Sequence, residues 1–241
     1  MNLLKKLFPK KDNPAGCSLI LVAAGTASRM EGMDKVFFEL GRIPLFIHSL
    51  MPFQASDMIE EIIVVTRRDI LAQVGHLCKV HGIDKVTRVV SGGDSRTQSV
   101  LKGLEELSGK TVLVAIHDAA RPFVTGEVLE TAIQRAKVTG AAAPGIHVKD
   151  TVKLVNHGIV KETLEREQLF AIQTPQVFEA NLIKGAIRKA ISDEAEITDD
   201  CSAVERIGFH VVITEGSEEN IKLTTPNDLL LAQAIWAERR H

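Results

Sequence analysis

Short, nearly unbroken apolar runs rich in β-branched residues alternate with amphipathic stretches along this chain, and no other feature restricts its fold as strongly. Leu19–Ala23 and Val112–Ile116 contain no polar residue. A half-exposed strand would alternate polar and apolar positions, so these runs must be covered on both faces, as the inner strands of a parallel sheet are. Strand signals fall at Ser18–Ala23, Glu61–Thr66, Val86–Val90, Thr111–His117, Ala141–Ile146 and His210–Thr214. Helical periodicity falls between and after them, at Pro44–Gln54, Ile70–His81, Arg96–Leu107, Glu127–Lys137, Glu179–Ala190, Asp199–Ile207 and Pro226–Glu238. Strand–helix alternation of this kind requires right-handed crossovers, and hence a three-layer α/β fold with a mainly parallel, twisted sheet.

One segment departs from that rhythm. Thr151–Val155 and Ile159–Leu164 flank Asn156-His157-Gly158, a hairpin signal inside an otherwise α/β chain. An isolated two-stranded ribbon is marginal in water. An arm over about 147–170 that projects from the sheet and packs on a second copy of the chain is therefore expected, making a homodimer. The remainder is read as one domain over 15–241, preceded by a tail over 1–14. The tail, MNLLKKLFPKKDN, is basic and briefly apolar but has neither the long apolar region nor the cleavage site of a signal peptide.

Composition removes several partner classes. A net charge of −2 and an aromatic content of 4% provide neither the basic footprint nor the stacking platforms of a nucleic-acid binder. No run reaches the ~18 apolar residues of a membrane span. Cys17, Cys78 and Cys201 are odd in number and far apart, which points to a reducing, cytoplasmic compartment. His48, His76, His81, His147 and His210 have no metal-ligand spacing. Gly109-Lys110-Thr111 resembles the end of a phosphate-binding loop, but Gly103 stands one residue too far upstream and the order is helix then strand, so it reads as a turn.

In open α/β sheets ligands bind beyond the carboxyl ends of strands, so chemistry is sought in the loop after each strand. After the first come Ala23, Ala24 and Gly25, small enough for a close backbone approach to phosphate, then Arg29 and Lys35 as cations. A tight turn with two incidental surface cations fits the same residues. Ser91-Gly92-Gly93-Asp94-Ser95-Arg96 can cradle a base or ribose, or can be a turn with Asp94 or Ser95 capping a helix. His117-Asp118-Ala119-Ala120-Arg121 places a carboxylate and a guanidinium directly after a buried strand, as a site or as an internal ion pair. Thr198-Asp199-Asp200 reads first as a helix cap, and Lys222 as either a site lysine or a solvated one.

In this order, with Lys149-Asp150-Thr151, Gln173-Thr174-Pro175-Gln176 and Asn220-Ile221-Lys222-Leu223-Thr224-Thr225-Pro226, the motifs resemble the 2-C-methyl-D-erythritol 4-phosphate cytidylyltransferase family of the non-mevalonate isoprenoid pathway, from about Ser18 to Ala237. The resemblance implies a Rossmann-like nucleotidyltransferase fold, a dimer clasped by β-arms, and transfer of CMP from CTP to a polyol phosphate. It implies Mg²⁺-dependent catalysis; Mg²⁺ usually keeps several waters and binds mainly through substrate phosphates, here those of CTP, so a dedicated protein cage need not exist. Carried over by position, it implies nucleotide contacts at Ala23, Ala24, Gly25, Gly92, Gly93, Asp94, Ser99, Asp118 and Ala119. Arg29 and Lys35 would clamp the triphosphate. Asp118, Arg121, Thr174 and Lys222 would surround the acceptor, and Thr151 and Arg166 would reach the acceptor site of the opposite subunit. Catalytic roles thus fall to Arg29, Lys35, Arg166 and Lys222. Ala27, where a glycine is usual, and Asp34 and Val36, where proline and glutamine flank the lysine, depart from the pattern. Ribitol-5-phosphate cytidylyltransferase, whose members tend to show LAGG and HDAVRP, and a non-catalytic CTP sensor are the alternative readings.

Overall fold

A computed structural model describes residues 16–25 and 35–239, the Lys35 side chain excepted; the expected tail over 1–14 lies outside the described residues. The chain begins with β1 (Cys17–Ala23), then a small ribbon of β2 (Glu39–Leu40) and β3 (Ile43–Pro44), helix α1 (Leu45–Ala55), β4 (Ile59–Thr66), α2 (Leu71–Val80), β5 (Val86–Ser91), α3 (Arg96–Glu105) and β6 (Leu113–Asp118). Next along the chain are α4 (Gly126–Thr139), β7 (Ala141–His147), β8 (Lys153–Asn156), β9 (Ile159–Thr163), β10 (Phe170–Ile172) and β11 (Gln176–Glu179). The last elements are α5 (Ala180–Ser192), α6 (Asp200–Arg206), β12 (Val212–Glu215) and α7 (Pro226–Glu238).

The apolar runs behave as two-faced strands must. In β1, Leu19, Leu21 and Ala23 join one core cluster and Ile20 joins the other. Ile62 and Val64 against Ile63 and Val65 divide β4 in the same way, and Leu113 and Ala115 against Val114 and Ile116 divide β6. Phe46 and Phe53 of α1, Val74 of α2 and Leu129 and Ile133 of α4 fill the first cluster. Leu104 of α3, Ile183 and Ile187 of α5 and Val204 of α6 fill the second. These are the three layers. A smaller cluster joins Leu229 and Ala232 of α7 to Leu45, Phe123 and Leu223.

The main sheet runs β10-β7-β11-β6-β1-β4-β5, with β12 beside β7. The β1–β4, β4–β5, β1–β6 and β7–β12 pairs are parallel, whereas β11 and β10 pair antiparallel with their neighbours. From β1 the chain crosses to β4 and β5 on one side, then returns to lay β6 on the other side of β1. The reversal leaves a crevice at the carboxyl ends of β1 and β6.

The expected strand–helix order holds, with three revisions. Strands β10 and β11 lie on either side of Gln173-Thr174-Pro175, where only a loop is expected from sequence. At three and four residues they are too short to show a period. The expected strand at Thr111–His117 begins two residues later and includes Asp118, and the one at His210–Thr214 shifts to Val212–Glu215. Strands β2 and β3 form a ribbon of two residues per strand that the sequence does not signal. Gly109-Lys110 is a turn, as expected. The hairpin is present as β8 paired with β9, apart from the main sheet. His157 and Gly158 both take positive φ, 48° and 78°, the geometry of a tight two-residue reversal.

Candidate active site

A cavity of about 620 Å³ opens at that crevice, lined from the ends of β1, β4, β5 and β6 and from the segment before α7. Ala23, Ala24, Gly25, Gly92, Gly93, Asp94, Ser99, Asp118, Ala119 and Lys222, all singled out from sequence, line it together. Residues from opposite ends of the chain therefore share one wall.

The loop after β5 depends on its glycines. A Cβ on Gly92 would lie 2.5 Å from the Ala24 Cβ and 2.7 Å from Ser99 Oγ, and one on Gly93 would lie 2.5 Å from the Gln98 Cβ. Contacts this close do not occur between real side chains, so the two loops approach as they do only because these positions have none. The Gly92 N–H donates to Thr66 O (2.7 Å), while Lys102 Nζ donates to Gly92 O (2.8 Å). Ser99 Oγ accepts from the Gly93 N–H at 3.1 Å and donates to Ser95 O at 2.9 Å. Ser95, the N-cap of α3, accepts from the Gln98 N–H. Ser95 is thus the helix cap, and Gly92 and Gly93 line the cavity.

Asp118 closes β6 and is 7% exposed. Its Oδ2 meets Lys222 Nζ at 2.7 Å, and its Oδ1 meets Arg96 Nε and Nη2, each at 3.3 Å. Burial acts to raise the Asp118 carboxyl, but the charges of Arg96 and Lys222 outweigh it and hold the group well below the usual carboxylate range. Lys222 is brought here by its neighbours. Leu223 N–H donates to Ala120 O at 2.9 Å, and the buried Asn220 donates from Nδ2 to Thr174 O at 3.0 Å and to Gln173 Oε1 at 3.2 Å.

Behind Asp118 a polar chain runs through the buried Thr174 and His117 to the half-buried Arg121. Thr174 Oγ1 accepts from the Asp118 N–H at 3.2 Å and lies 2.9 Å from His117 Nδ1. His117 Nε2 lies 3.1 Å from Arg121 O, which can only accept. Nε2 therefore carries the proton, and Nδ1 of the neutral ring accepts from the Thr174 hydroxyl. Burial lowers His117 to about 4, against the upward pull of these bonds and of Asp118. Arg121 donates from Nη1 to Asn220 O at 2.6 Å, and its Nε is buried without a partner among the described residues. Thr174 and Arg121 thus stand next to Asp118 but behind the cavity wall, not in it.

Other expected site residues lie elsewhere. Thr151 and Arg166 are exposed at the base of the hairpin and do not line the cavity of their own chain. Arg166 Nη1 donates to Lys149 O at 3.2 Å. Arg29, Ala27, Asp34 and the Lys35 side chain lie outside the described residues.

Sequence alone gives Arg96 no role and Asp200 only a place in a cap. Arg96 lines the cavity and donates from Nη1 and Nη2 to the two oxygens of the fully buried Asp200, at 2.9 and 2.7 Å. Asp199, not Asp200, caps α6, in a reciprocal box with Ser202. A signal for Arg96 is nonetheless present in the chain. It is the first residue of α3, where the helix field disfavours a cation by about 0.3–1 kcal/mol, so a carboxylate partner there is a weak expectation. Arg67 and Arg68, at the end of β4, also line the cavity and are not singled out by sequence.

Among the described residues, no group of three or more His, Cys, Asp or Glu side chains is arranged to hold a metal ion. The buried carboxylate in the cavity, Asp118, spends both oxygens on cations.

Residues 17–238 match the model of the family described as IspD, 2-C-methyl-D-erythritol 4-phosphate cytidylyltransferase. The enzyme of that name from Halalkalibacterium halodurans is 42% identical over 223 residues, covering 92% of this chain and 97% of its own. That from Clostridium novyi is 42% identical over 219 residues, 90% of this chain and 94% of its own. The crystal structure of 4-diphosphocytidyl-2C-methyl-D-erythritol synthase from Anaerococcus prevotii superposes with a TM-score of 0.84 at 29% identity, covering 93% of this chain and all (100%) of that one. The Thermus thermophilus 2-C-methyl-D-erythritol 4-phosphate cytidylyltransferase gives 0.76 at 30% identity, covering 92% and 99%. The chain belongs to the 2-C-methyl-D-erythritol 4-phosphate cytidylyltransferase family.

Proposed function

We propose that this chain transfers CMP from CTP to 2-C-methyl-D-erythritol 4-phosphate, forming 4-diphosphocytidyl-2-C-methyl-D-erythritol and pyrophosphate for isoprenoid precursor synthesis. The observation that carries this reading is the convergence of Asp118, Lys222 and the Gly92-Gly93 loop on one cavity at the β1/β6 crevice. An oxygen of the acceptor phosphate attacks the α-phosphorus of CTP, and the bond to the β-phosphate breaks as pyrophosphate leaves. The attacking phosphate is already anionic, so no strong base is needed. The site has to position two polyanions and offset their repulsion, which for one like-charge contact at ~4 Å costs about 4 kcal/mol at an effective dielectric near 20.

In this reading the small residues Ala23, Ala24, Gly25, Gly92 and Gly93 admit the nucleotide, with Asp94, Ser99, Asp118 and Ala119 around it. Arg29 and Lys35 stabilise charge on the triphosphate in the transition state. Lys222 holds the incoming phosphate, with Arg121 and Thr174 fixing the wall behind Asp118. Mg²⁺, bound through the CTP phosphates, supplies further charge neutralisation. Thr151 and Arg166, exposed on the hairpin and away from their own cavity, serve the acceptor site of a second copy in a homodimer. The exposed Leu154, Val155, Ile159 and Val160 of the hairpin give such a copy an apolar surface to cover. The free, buried thiols of Cys17, Cys78 and Cys201 accord with a cytoplasmic location.

The test is pyrophosphate release from CTP with methylerythritol phosphate or ribitol 5-phosphate, each with and without Mg²⁺. Turnover is expected with the first acceptor and Mg²⁺. Preference for ribitol 5-phosphate, or CTP binding without turnover, overturns the reading.

A further inference from the structure

Asp200 is completely buried, yet it is not needed to cap α6, because Asp199 does that. Arg96 stands where the field of α3 disfavours it. A buried ion pair is commonly no more stabilising than apolar residues of the same volume. Two charges kept at such positions call for a reason other than stability, and the geometry supplies one. Asp200 takes both terminal nitrogens of Arg96 in a planar two-point bond, at 2.9 and 2.7 Å. That bond fixes the rotation of the guanidinium and turns its Nε edge to Asp118 Oδ1 at 3.3 Å. The other oxygen of Asp118 is thereby left to Lys222 Nζ at 2.7 Å. The carboxylate is held between two cations on opposite oxygens and cannot rotate without breaking one contact. The four charges also cancel, Asp118 and Asp200 against Arg96 and Lys222, so the cavity presents no net negative charge from this cluster to an arriving polyphosphate.

We infer that Arg96 and Asp200 are positioning residues for the transfer reaction: the buried carboxylate of Asp200 locks the Arg96 guanidinium, which orients Asp118 and through it sets Lys222 toward the acceptor phosphate. This rests on the cytidylyltransferase reading above. Asp200 is fully buried and does not line the cavity, and the role assigned to Arg96 is exerted through Asp118. Arg96 cannot be replaced by lysine, since an ammonium cannot span both Asp200 oxygens and still reach Asp118. Small displacements of positioned groups cost up to about 100-fold in rate.

The experiment compares Asp200→Asn, Asp200→Glu, Arg96→Lys and the Arg96→Lys/Asp200→Asn double variant in the CTP and methylerythritol phosphate assay. Rates are expressed per folded molecule, with thermal unfolding and CTP binding measured in parallel. Asp200→Asn and Arg96→Lys are each expected to lower kcat about 100-fold, with KM for CTP changed less than about threefold. Asp200→Glu should recover most of that loss, and the double variant should be no worse than either single one. A kcat per folded molecule close to wild type in Asp200→Asn overturns the inference, as does an additive double variant. Should Asp200→Asn fail to fold, the partly exposed Arg96→Lys decides the matter, and retention of full kcat overturns it. Absence of turnover in the wild-type chain would instead be a failure of the functional reading itself.

Discussion

Lowering the pH from 7 toward 4 gives the unfolded chain a proton at His117 that the folded chain refuses. The imidazole is fully buried, and burial brings it from an ordinary 6.5 to about 4. Both states hold a neutral ring above pH 6.5, so His117 contributes nothing to pH dependence there. Between 6.5 and 4 only the unfolded state binds the proton, and the folded state loses stability by about 1.4 kcal/mol per pH unit. The whole interval amounts to about 3 kcal/mol, a large part of a typical folding free energy. Asp118, held low by its cations, and Glu61, held low by hydrogen bonds from Ser108, Ser18 and Thr111, begin to lose their stabilising effect only as the unfolded carboxyls take up protons, at the acid edge of this interval. Asp200 is raised by burial and acts in the opposite direction. His48, also lowered by burial, shifts stability in the same direction as His117, so the variant comparison is what isolates His117. His117→Gln keeps an N–H near Arg121 O but cannot titrate. It should be less stable than wild type at pH 7 by about 1–2 kcal/mol, through lost packing against Phe53 and the lost Thr174 bond. Urea unfolding followed by Trp236 fluorescence at half-unit steps from pH 7 to 4.5 measures both. The gap between the two proteins should close as pH falls and reverse before pH 4.5. Parallel curves would show that the folded state accepts the proton at His117, and the neutral-ring chain from Asp118 to Arg121 would then be wrong.

Three further outcomes are expected. Gly92→Ala forces the loop after β5 away from Ala24 and Ser99 and should cost about 1–3 kcal/mol of folding stability in urea unfolding, with weaker CTP binding in calorimetric titration. Lys222→Ala, and separately Arg29→Ala, should each lower turnover at least about 100-fold, roughly 2.7 kcal/mol of transition-state stabilisation; near-normal kcat/KM in both would remove them from the reaction. Arg166→Ala, nearly inactive alone, should regain part of its activity in mixed dimers with Lys222→Ala, because one of the two sites then receives intact residues from both chains. Mixtures no more active than their components would place Arg166 in its own chain's site or in none.

The core was legible because the physics that buries it writes a period into the sequence. Strands β1, β4 and β6 are covered on both faces, so nearly all of their residues are apolar, and the helices between them repeat at 3.6. Strands β10 and β11 left no such mark. They are short, and they enter the sheet antiparallel through pairing with β6 and β7, a contact decided by distant residues. The carboxyl-end rule brings Gly92, Gly93, Asp118 and Ala119 to one cavity, since the loops that leave the parallel strands β5 and β6 open at that edge of the sheet. Lys222 comes after no strand. It was legible only as part of a motif, and its place beside Asp118 depends on Asn220 and Leu223 clasping the β6 loop.

Arg96 and Asp200 mark the limit of reading by segment. Each looked sufficient within its own helix: a polar residue in the first turn of α3, and one of two acids at the start of α6. Their meaning appears only when the two helix N-termini, 104 positions apart in sequence, pack on the same face of the sheet. An anion at a helix start is electrostatically favoured and needs no explanation, whereas a cation there does. The misplaced sign of Arg96 therefore carried more information than the well-placed Asp199 and Asp200. A charge that opposes the field of its own helix gains from compensation outside that helix, and in this chain Asp200 supplies it while Arg96 carries the contact on to Asp118 and the cavity.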